Sequence, residues 1–372
     1  MGAAVRRSPR WRCVGPCALS VAFRGSPSRP RSLRTRLVRG RETPRRRLSA
    51  RRGRPSAKER TTVNRHVIAI PTFRRPKALV RALHAVEMQL HEVHPPDNAM
   101  ILVIDNDPAG SGRATAESFG VQYVVEPSPG IAAVRNRALT ECADAATVIF
   151  IDDDEAPEPG WLTALLSVYR RFSPTAVAGK VVTTFPSDTE EWVRASGAFI
   201  RPQRRHEQLM TEAATNNLLL DIAEIQRLGL RFDERFGLTG GSDSMFTRLL
   251  TARGGTIRWA EDAVVVEQED AGRFTRAWVL MRTFRFGNTS TRVTIALADT
   301  AVARVSARAR MAARGAVRIV GGAGRWVLGA VSGSLPHRAR GLRTAYRGAG
   351  MVAAATGYAH DEYGRRRAKQ AA

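Results

Sequence analysis

The chain has 372 residues, 43% of them hydrophobic, enough for one large domain with appendages or for two domains, and this excludes a wholly disordered protein. Its formal charge of +25 looks like that of a nucleic-acid binder until it is divided by region: residues 1–60 hold 19 Arg and Lys against Glu42 and Glu59, a net of +17, leaving +8 for the other 312. So modest an excess suits an anionic substrate or an acidic membrane surface as well as nucleic acid, and no specific nucleic-acid partner is expected.

Cys13, Cys17 and Cys142 make no disulfide framework, and no Cys/His spacing matches a zinc site, so a reducing compartment is expected. Residues 1–62 are rich in Arg, Pro, Ser and Gly without a sustained period and are expected to be a disordered leader. The apolar patch from Cys13 to Phe23 is interrupted by Gly15 and Pro16 and no small-residue cleavage site follows it, which argues against a signal peptide. The folded chain is expected to begin near Val63.

The first strong strand is VIAI, Val67 to Ile70, followed by a helical pattern from Pro76 to Leu90. AMILVID (Ala99 to Asp105), VQYVVE (Val121 to Glu126) and TVIFID (Thr147 to Asp152) read as further strands, with GIAAVRNRALTECAD as a helix between the last two. Continuous apolar strands separated by helices predict a parallel sheet covered on both faces, an α/β fold. Ligands bind beyond the carboxyl ends of such strands. Pro71–Arg74, Asp105–Asp107 and Asp152–Asp154 all fall there and should converge on one crevice.

Beyond Ala178 the pattern loosens into AGKVVTTF and a helix near Ile222–Gly229, which predicts a mixed-sheet second half that holds a different ligand. From about Ser290 the chain is rich in Ala, Arg and Gly, with Arg304/Arg308 and Arg310/Arg314/Arg318 at helical intervals, a basic amphipathic pattern. Ile319 to Leu335 is apolar but short for a span and carries Arg325 near its middle, which costs roughly 2.5–3.5 kcal/mol on insertion scales. It either lies on a membrane or packs as a helical appendage.

Three consecutive aspartates at the mouth of a buried strand need compensation, because like charges so close cannot all stay ionised without a cation or donor. A divalent ion with oxygen ligands answers this, as Mg²⁺ or Mn²⁺ takes one or two carboxylates and leaves positions for phosphate oxygens. A solvated acidic turn or helix N-cap before the Pro157–Pro159 turn answers it as well.

IPTFRRP (Ile70–Pro76), ILVIDNDPAGS (Ile101–Ser111), EPSPGIAAVRNRAL (Glu126–Leu139), FIDDDEAPEPGWL (Phe150–Leu162) and FDERFGLTGGSDSMF (Phe232–Phe246) stand in the order and spacing of the family 2 glycosyltransferases, which the chain resembles from about Val67 to Asn288. The resemblance implies the GT-A fold: a mixed, mostly parallel central sheet flanked by helices, a nucleotide half joined to an acceptor half, here over 63–289. A basic helical region over 290–372 follows. It further implies transfer of a sugar, with inversion, from a nucleoside-diphosphate sugar to a glycan or lipid-linked acceptor.

Under this resemblance Thr72 and Phe73 hold the nucleoside, Asp105 reads the base, and Arg135 and Asn136 bind the donor. Asp152, Asp153 and Asp154 overlay the DXD motif. Asp154 is then the first metal ligand, joined by Asp152, with Asp152 and Asp153 also near the ribose or sugar, and Asp243 is the general base. The chain departs from the family at Ser242, where relatives commonly have Glu, and the missing carboxylate could loosen the orientation of an acceptor hydroxyl or change which acceptor is tolerated. A second departure is Gln268, where many have a metal-completing His. Arg273, Arg276, Arg282 and Arg285, on a helix or loop expected to end at Gly287–Asn288, could clamp a diphosphate or meet lipid headgroups; Asn216 and Asn217 could bind sugar hydroxyls or form a strand-entry turn; Trp161 and Trp192 could stack on sugars or anchor the core. His206 reads as a loop residue.

The expectation is therefore a metal-assisted inverting glycosyltransferase, cytoplasmic and in peripheral contact with an anionic membrane on its inner face. A nucleotidyltransferase would need a Gly- and Lys-rich first loop, and a dinucleotide site a GxGxxG, and IPTFRRP supplies neither. The alternative is a noncatalytic basic polyanion-binding protein whose transferase site has decayed, favoured by Ser242 and Gln268.

Overall fold

Seven consecutive residues from His66 to Thr72 are buried in β1 (Asn64–Thr72), as an apolar strand covered on both faces requires. This computed structural model describes residues 64–94, 97–268 and 271–360; the expected leader over 1–62 lies outside them, as do 361–372. The chain divides into two units, 1–58 and 59–372, and all described residues belong to the second.

β1 leads into α1 (Pro76–Leu90), with Pro76 in the first turn, where its missing N–H costs nothing. There follow β2 (Asp97–Asp105), α2 (Arg113–Ser118), β3 (Gln122–Val125), α3 (Ile131–Glu141) and β4 (Thr147–Phe150). The strands pair in parallel in the order β3-β2-β1-β4. β4 stops at Phe150, two residues before the expected end, because the chain turns there: the Glu155 N–H donates to the Asp152 carbonyl.

The second half runs through β5 (Glu155–Pro157), α4 (Trp161–Phe172), β6 (Ala176–Thr183), α5 (Glu191–Ser196), β7 (Leu209–Met210), β8 (Leu218–Asp221), α6 (Ile222–Arg227), α7 (Ser242–Ala252) and β9 (Ile257–Glu267). The sheet continues β4-β8-β6-β9-β5, with β7 on the side of β9. Strand β8 is antiparallel to both β4 and β6, so the sheet becomes mixed where it leaves the first four strands. Alternate residues of β1 and β2 enter opposite cores: Val67, Ala69, Leu102 and Ile104 meet α3 and α7 residues on one face. Ile68, Ile70, Ile101 and Val103 meet α1 and α4 residues on the other. The period of two that divides these side chains is what leaves both faces in need of helices.

Trp161 is fully buried, and its Nε1 donates to Asn217 Oδ1 at 2.8 Å; Asn217 Nδ2 in turn donates to the carbonyls of Lys180 (3.0 Å) and Ala263 (2.8 Å). Trp161 is thus a core anchor, and Asn217 spends its amide on the scaffold and not on a ligand. Trp192 is likewise buried, with Phe199, Phe274 and Val279. Asn217→Ala leaves three buried polar groups without this partner and should lower unfolding stability by about 3 kcal/mol. A urea midpoint equal to wild type would show that the network is dispensable. Cys142 is fully buried and burial pushes its thiol up to about 12, so iodoacetamide should modify it only after unfolding, as read by peptide mapping.

The C-terminal region consists of α8 (Arg276–Ala296), α9 (Ala301–Val331) and α10 (Leu335–Ala355). The expected boundary at 289/290 falls inside α8. Gly287 and Asn288 do not end the helix: Gly287 lets the α10 backbone pass beside it at Arg347, and Asn288 Nδ2 donates to the Tyr358 carbonyl at 2.9 Å. Helices α9 and α10 approach through Gly315, Gly322 and Gly329, seven residues apart, against Gly348, Gly341 and the Arg338 backbone. A Cβ on Gly322 would lie 2.5 Å from the Ala345 nitrogen, closer than any side chain tolerates. Among the described residues no helix is long and apolar enough to cross a membrane.

Candidate active site

The carboxyl ends of β1, β2, β4 and β9 and the first half of α8 enclose a cavity of about 550 Å³. Thr72 and Phe73 enter it from β1, Asn106 from the end of β2, Arg135 from α3 and all three aspartates from the turn after β4. Each of the three polar clusters expected to converge reaches the lining, the Asp105–Asp107 cluster through Asn106 alone. From the second half come Leu238, Glu267, Arg273 and the α8 side chains Trp278, Arg282, Arg285 and Phe286.

The repulsion among the aspartates is met by cations and donors of the chain itself. Arg75 Nη1 lies 2.7 Å from Asp153 Oδ1 and 3.1 Å from Asp154 Oδ2, and Arg75 Nη2 also reaches Asp154 at 3.1 Å. Arg273 pairs with Asp154 at 3.7 Å, and Thr72 Oγ1 donates to Asp153 Oδ2 at 2.8 Å. Even so, burial pushes the Asp153 carboxyl up to about 6 against the pull of Arg75. Burial also holds Asp152 and Glu155 above the ordinary carboxylate range, with Arg135 opposing the rise at Asp152. The Asp152 N–H donates to Glu155 Oε2 at 3.0 Å, and Asn216 Nδ2 donates to Glu155 Oε1 at 2.6 Å. The cavity lining sets Arg75, Arg135, Arg273, Arg282 and Arg285 against Asp152, Asp153, Asp154 and Glu267, and the raised carboxyls owe their shift first to burial.

Among the described residues no group of three or more His, Cys, Asp or Glu converges as a ready cation cage. The donor set still fits a hard divalent ion, since such ions take one or two carboxylates and complete their shell with phosphate and water oxygens. Asp152 and Asp154 are the residues available for this. Arg75 and Arg273 would have to share or yield Asp154.

Other predicted residues stand beside the cavity rather than in its lining. Asp105 is fully buried, and its carboxylate accepts from Tyr123 Oη (2.9 Å) and from the backbone of Gly112 (2.6 Å) and Asp107 (2.8 Å), holding the turn from which Asn106 reaches the cavity. Asn136 bridges the Phe232 backbone, donating to its carbonyl at 2.9 Å and accepting from its N–H at 2.8 Å. Asp243 occupies the first turn of α7, half-buried, with Oδ1 accepting from the Ser244 N–H at 2.8 Å. Its neighbour Ser242 accepts from Arg135 Nη1 at 3.0 Å, which ties the helix bearing Asp243 to the cavity wall. Gly241 just before it has φ +96, and a Cβ there would run into the Thr289 side chain of α8, so glycine is required for this turn.

Arg75 and Glu267 were not singled out from the sequence. Arg75 precedes a Pro-led helix beside an acidic strand end, a weak signal. Glu267 closes β9, where its Oε2 accepts from Thr183 Oγ1 (2.9 Å) and Arg201 Nη2 (3.1 Å). An acid at the carboxyl end of an apolar strand was the available clue.

Residues 67–226 match the sequence pattern of glycosyl transferase family 2. The succinoglycan biosynthesis protein ExoM of Rhizobium meliloti (strain 1021) is 34% identical over 242 residues, covering 61% of this chain and 74% of that protein. The chain belongs to glycosyl transferase family 2. Among solved structures, S. aureus TarS 1-349 is similar with a TM-score of 0.44 at 13% identity, over 76% of this chain and 91% of that one. GalNAc-T7 with UDP, GalNAc and Mn²⁺ gives 0.49 at 12% identity, over 64% of this chain and 48% of that one.

In this family 2 glycosyltransferase the two departures from the family pattern acquire positions. Ser242, where the resemblance led one to expect Glu, offers a hydroxyl that Arg135 engages. The Gln268 N–H donates to the Asp154 carbonyl at 2.8 Å, so the end of β9 is fastened to the aspartate turn through the backbone, whichever side chain stands at 268.

Proposed function

We propose that this glycosyltransferase moves a sugar from a nucleoside-diphosphate donor, with inversion, to a hydroxyl of a glycan or lipid-linked acceptor in polysaccharide biosynthesis. The observation that carries this reading is the meeting of Thr72, Phe73, Arg135 and Asp152–Asp154 in one cavity that also receives Arg273, Arg282 and Arg285. Thr72, Phe73 and the turn held by Asp105 grip the nucleoside. Arg135 and the α8 arginines face the diphosphate, while Asn136 braces α3 behind it. Asp154 and Asp152 would hold Mn²⁺ or Mg²⁺, which when bound would supply positive charge to the departing diphosphate.

Asp243 takes the proton of the acceptor hydroxyl as its oxygen attacks the anomeric carbon from the face opposite the leaving group. One base suffices for inversion, and no covalent enzyme intermediate is required. The name of the similar ExoM, a succinoglycan biosynthesis protein, supports a polysaccharide acceptor. The basic C-terminal helices support peripheral contact with an anionic membrane, on the cytoplasmic face where nucleotide sugars are made available.

A thermal-shift screen of nucleoside-diphosphate sugars with Mn²⁺ tests this, because a ligand that binds only the folded protein raises its apparent stability. One donor should raise the melting temperature of wild type and not of Asp154→Ala. If no donor stabilises wild type in the presence of metal, the reading fails.

A further inference from the structure

Helix α9 is 31 residues long, about 46 Å, and has two apolar sides. One is buried: Ala307, Met311, Gly315, Gly322 and Gly329. The other carries Val302 (80% exposed), Val305 (67%), Val320 (72%), Val327 (51%) and Val331 (84%). Alanines 309, 313 and 316 and Gly324 join these valines at intervals of three and four, so one apolar stripe runs the length of the helix. A surface helix of a globular domain turns charged residues outward at these positions. At about 100° per residue, Arg310 and Arg314 flank the stripe on one side, while Arg308 on the other donates from Nη1 to the Ala355 carbonyl at the end of α10 at 2.9 Å. Across residues 301–355 there are ten arginines and no Asp or Glu.

We propose that this valine face of α9 is the surface by which the enzyme lies on an anionic bilayer, with the valines at the headgroup–acyl boundary and the flanking arginines on lipid phosphate oxygens. The inference rests on the peripheral membrane contact proposed above and names the face that makes it. Charge selects the occupant. A second copy would set one acid-free basic helix pair against another, and the leader, at +17 over residues 1–60, is equally repelled. Apolar stripe and basic flanks together are the pattern of a helix lying in the plane of the interface. Arg325 within the helix, and the close glycine contact with α10, keep it there rather than across the membrane.

The test uses the full chain with Cys13→Ser and Cys17→Ser, Cys142 being buried, and an environment-sensitive dye on Val320→Cys or, as control, on the exposed Ser118→Cys. Phosphatidylcholine vesicles containing phosphatidylglycerol should give a several-fold gain and a blue shift at 320, with no change at 118. Pure phosphatidylcholine should give little. Val305→Glu with Val327→Glu should abolish the shift while the circular dichroism spectrum is kept, since both side chains point to solvent. If the protein sediments with anionic vesicles but the dye at 320 stays in water, another surface makes the contact and the inference fails while the membrane reading stands. Absence of sedimentation overturns both. A concentration-dependent shift without vesicles assigns the face to a second copy and overturns the inference.

Discussion

Asp154→Ala should lower the transfer rate by about 10²–10³ at saturating donor and metal, the usual cost of removing one preorganised electrostatic stabiliser from a leaving-group site. The expectation comes from the position of the carboxylate: it lines the cavity, Arg75 and Arg273 converge on it, and its carbonyl is fastened to β9 by the Gln268 N–H. Folding should survive. Burial holds Asp152, Asp153 and Glu155 each above the ordinary carboxylate range and the Asp154 charge adds a smaller push, so removing that charge relieves the group. The melting temperature without ligand should therefore equal or exceed that of wild type, while stabilisation by Mn²⁺ and donor is lost. Single-turnover kinetics beside a melting curve separate the two. A rate loss below about tenfold would remove Asp154 from the chemistry.

Asp243→Asn should lower the rate by about 10²–10⁴, the range ascribed to a positioned general base. Asparagine keeps an oxygen for the Ser244 N–H, so the first turn of α7 should be undisturbed. Donor binding should also be undisturbed, because Asp243 is not among the residues that line the donor cavity. The signature is thus a donor-induced thermal shift like that of wild type together with a collapse of transfer to acceptor. Loss of donor binding in this variant would make Asp243 part of the donor site and leave the base unidentified. Near-normal transfer would pass the role to another acid, with Glu267 the first to examine.

The first four strands were legible because a strand buried on both faces has to be apolar without interruption, whereas their order β3-β2-β1-β4 came only from the structure. The same rule put Thr72, Asn106 and the aspartate triplet at one mouth. Less legible were residues whose function depends on what stands opposite. Asp105 and Asn136 match their motifs, yet their side chains are engaged by Tyr123, Gly112 and the Phe232 backbone, partners that are far off in the chain or chemically anonymous in it. Asn217 in AATNNLLL could be read as a sugar ligand until Trp161, 56 positions away, is found donating to it.

From sequence alone came the family, the triplet 152–154 as a focus of charge, and the basic, acid-free character of the last helices. These are properties of order, spacing and composition, which survive without coordinates. Only the tertiary structure decided that Arg75 and Arg273 bear on those acids, that Gly287 sits within a helix rather than ending one, and that the valines of α9 face outward while its glycines face α10. Helix periodicity reveals that a segment has sides, but which side is covered depends on what packs there, and the glycines permit a backbone contact so close that the smaller residues, not the larger ones, are turned inward.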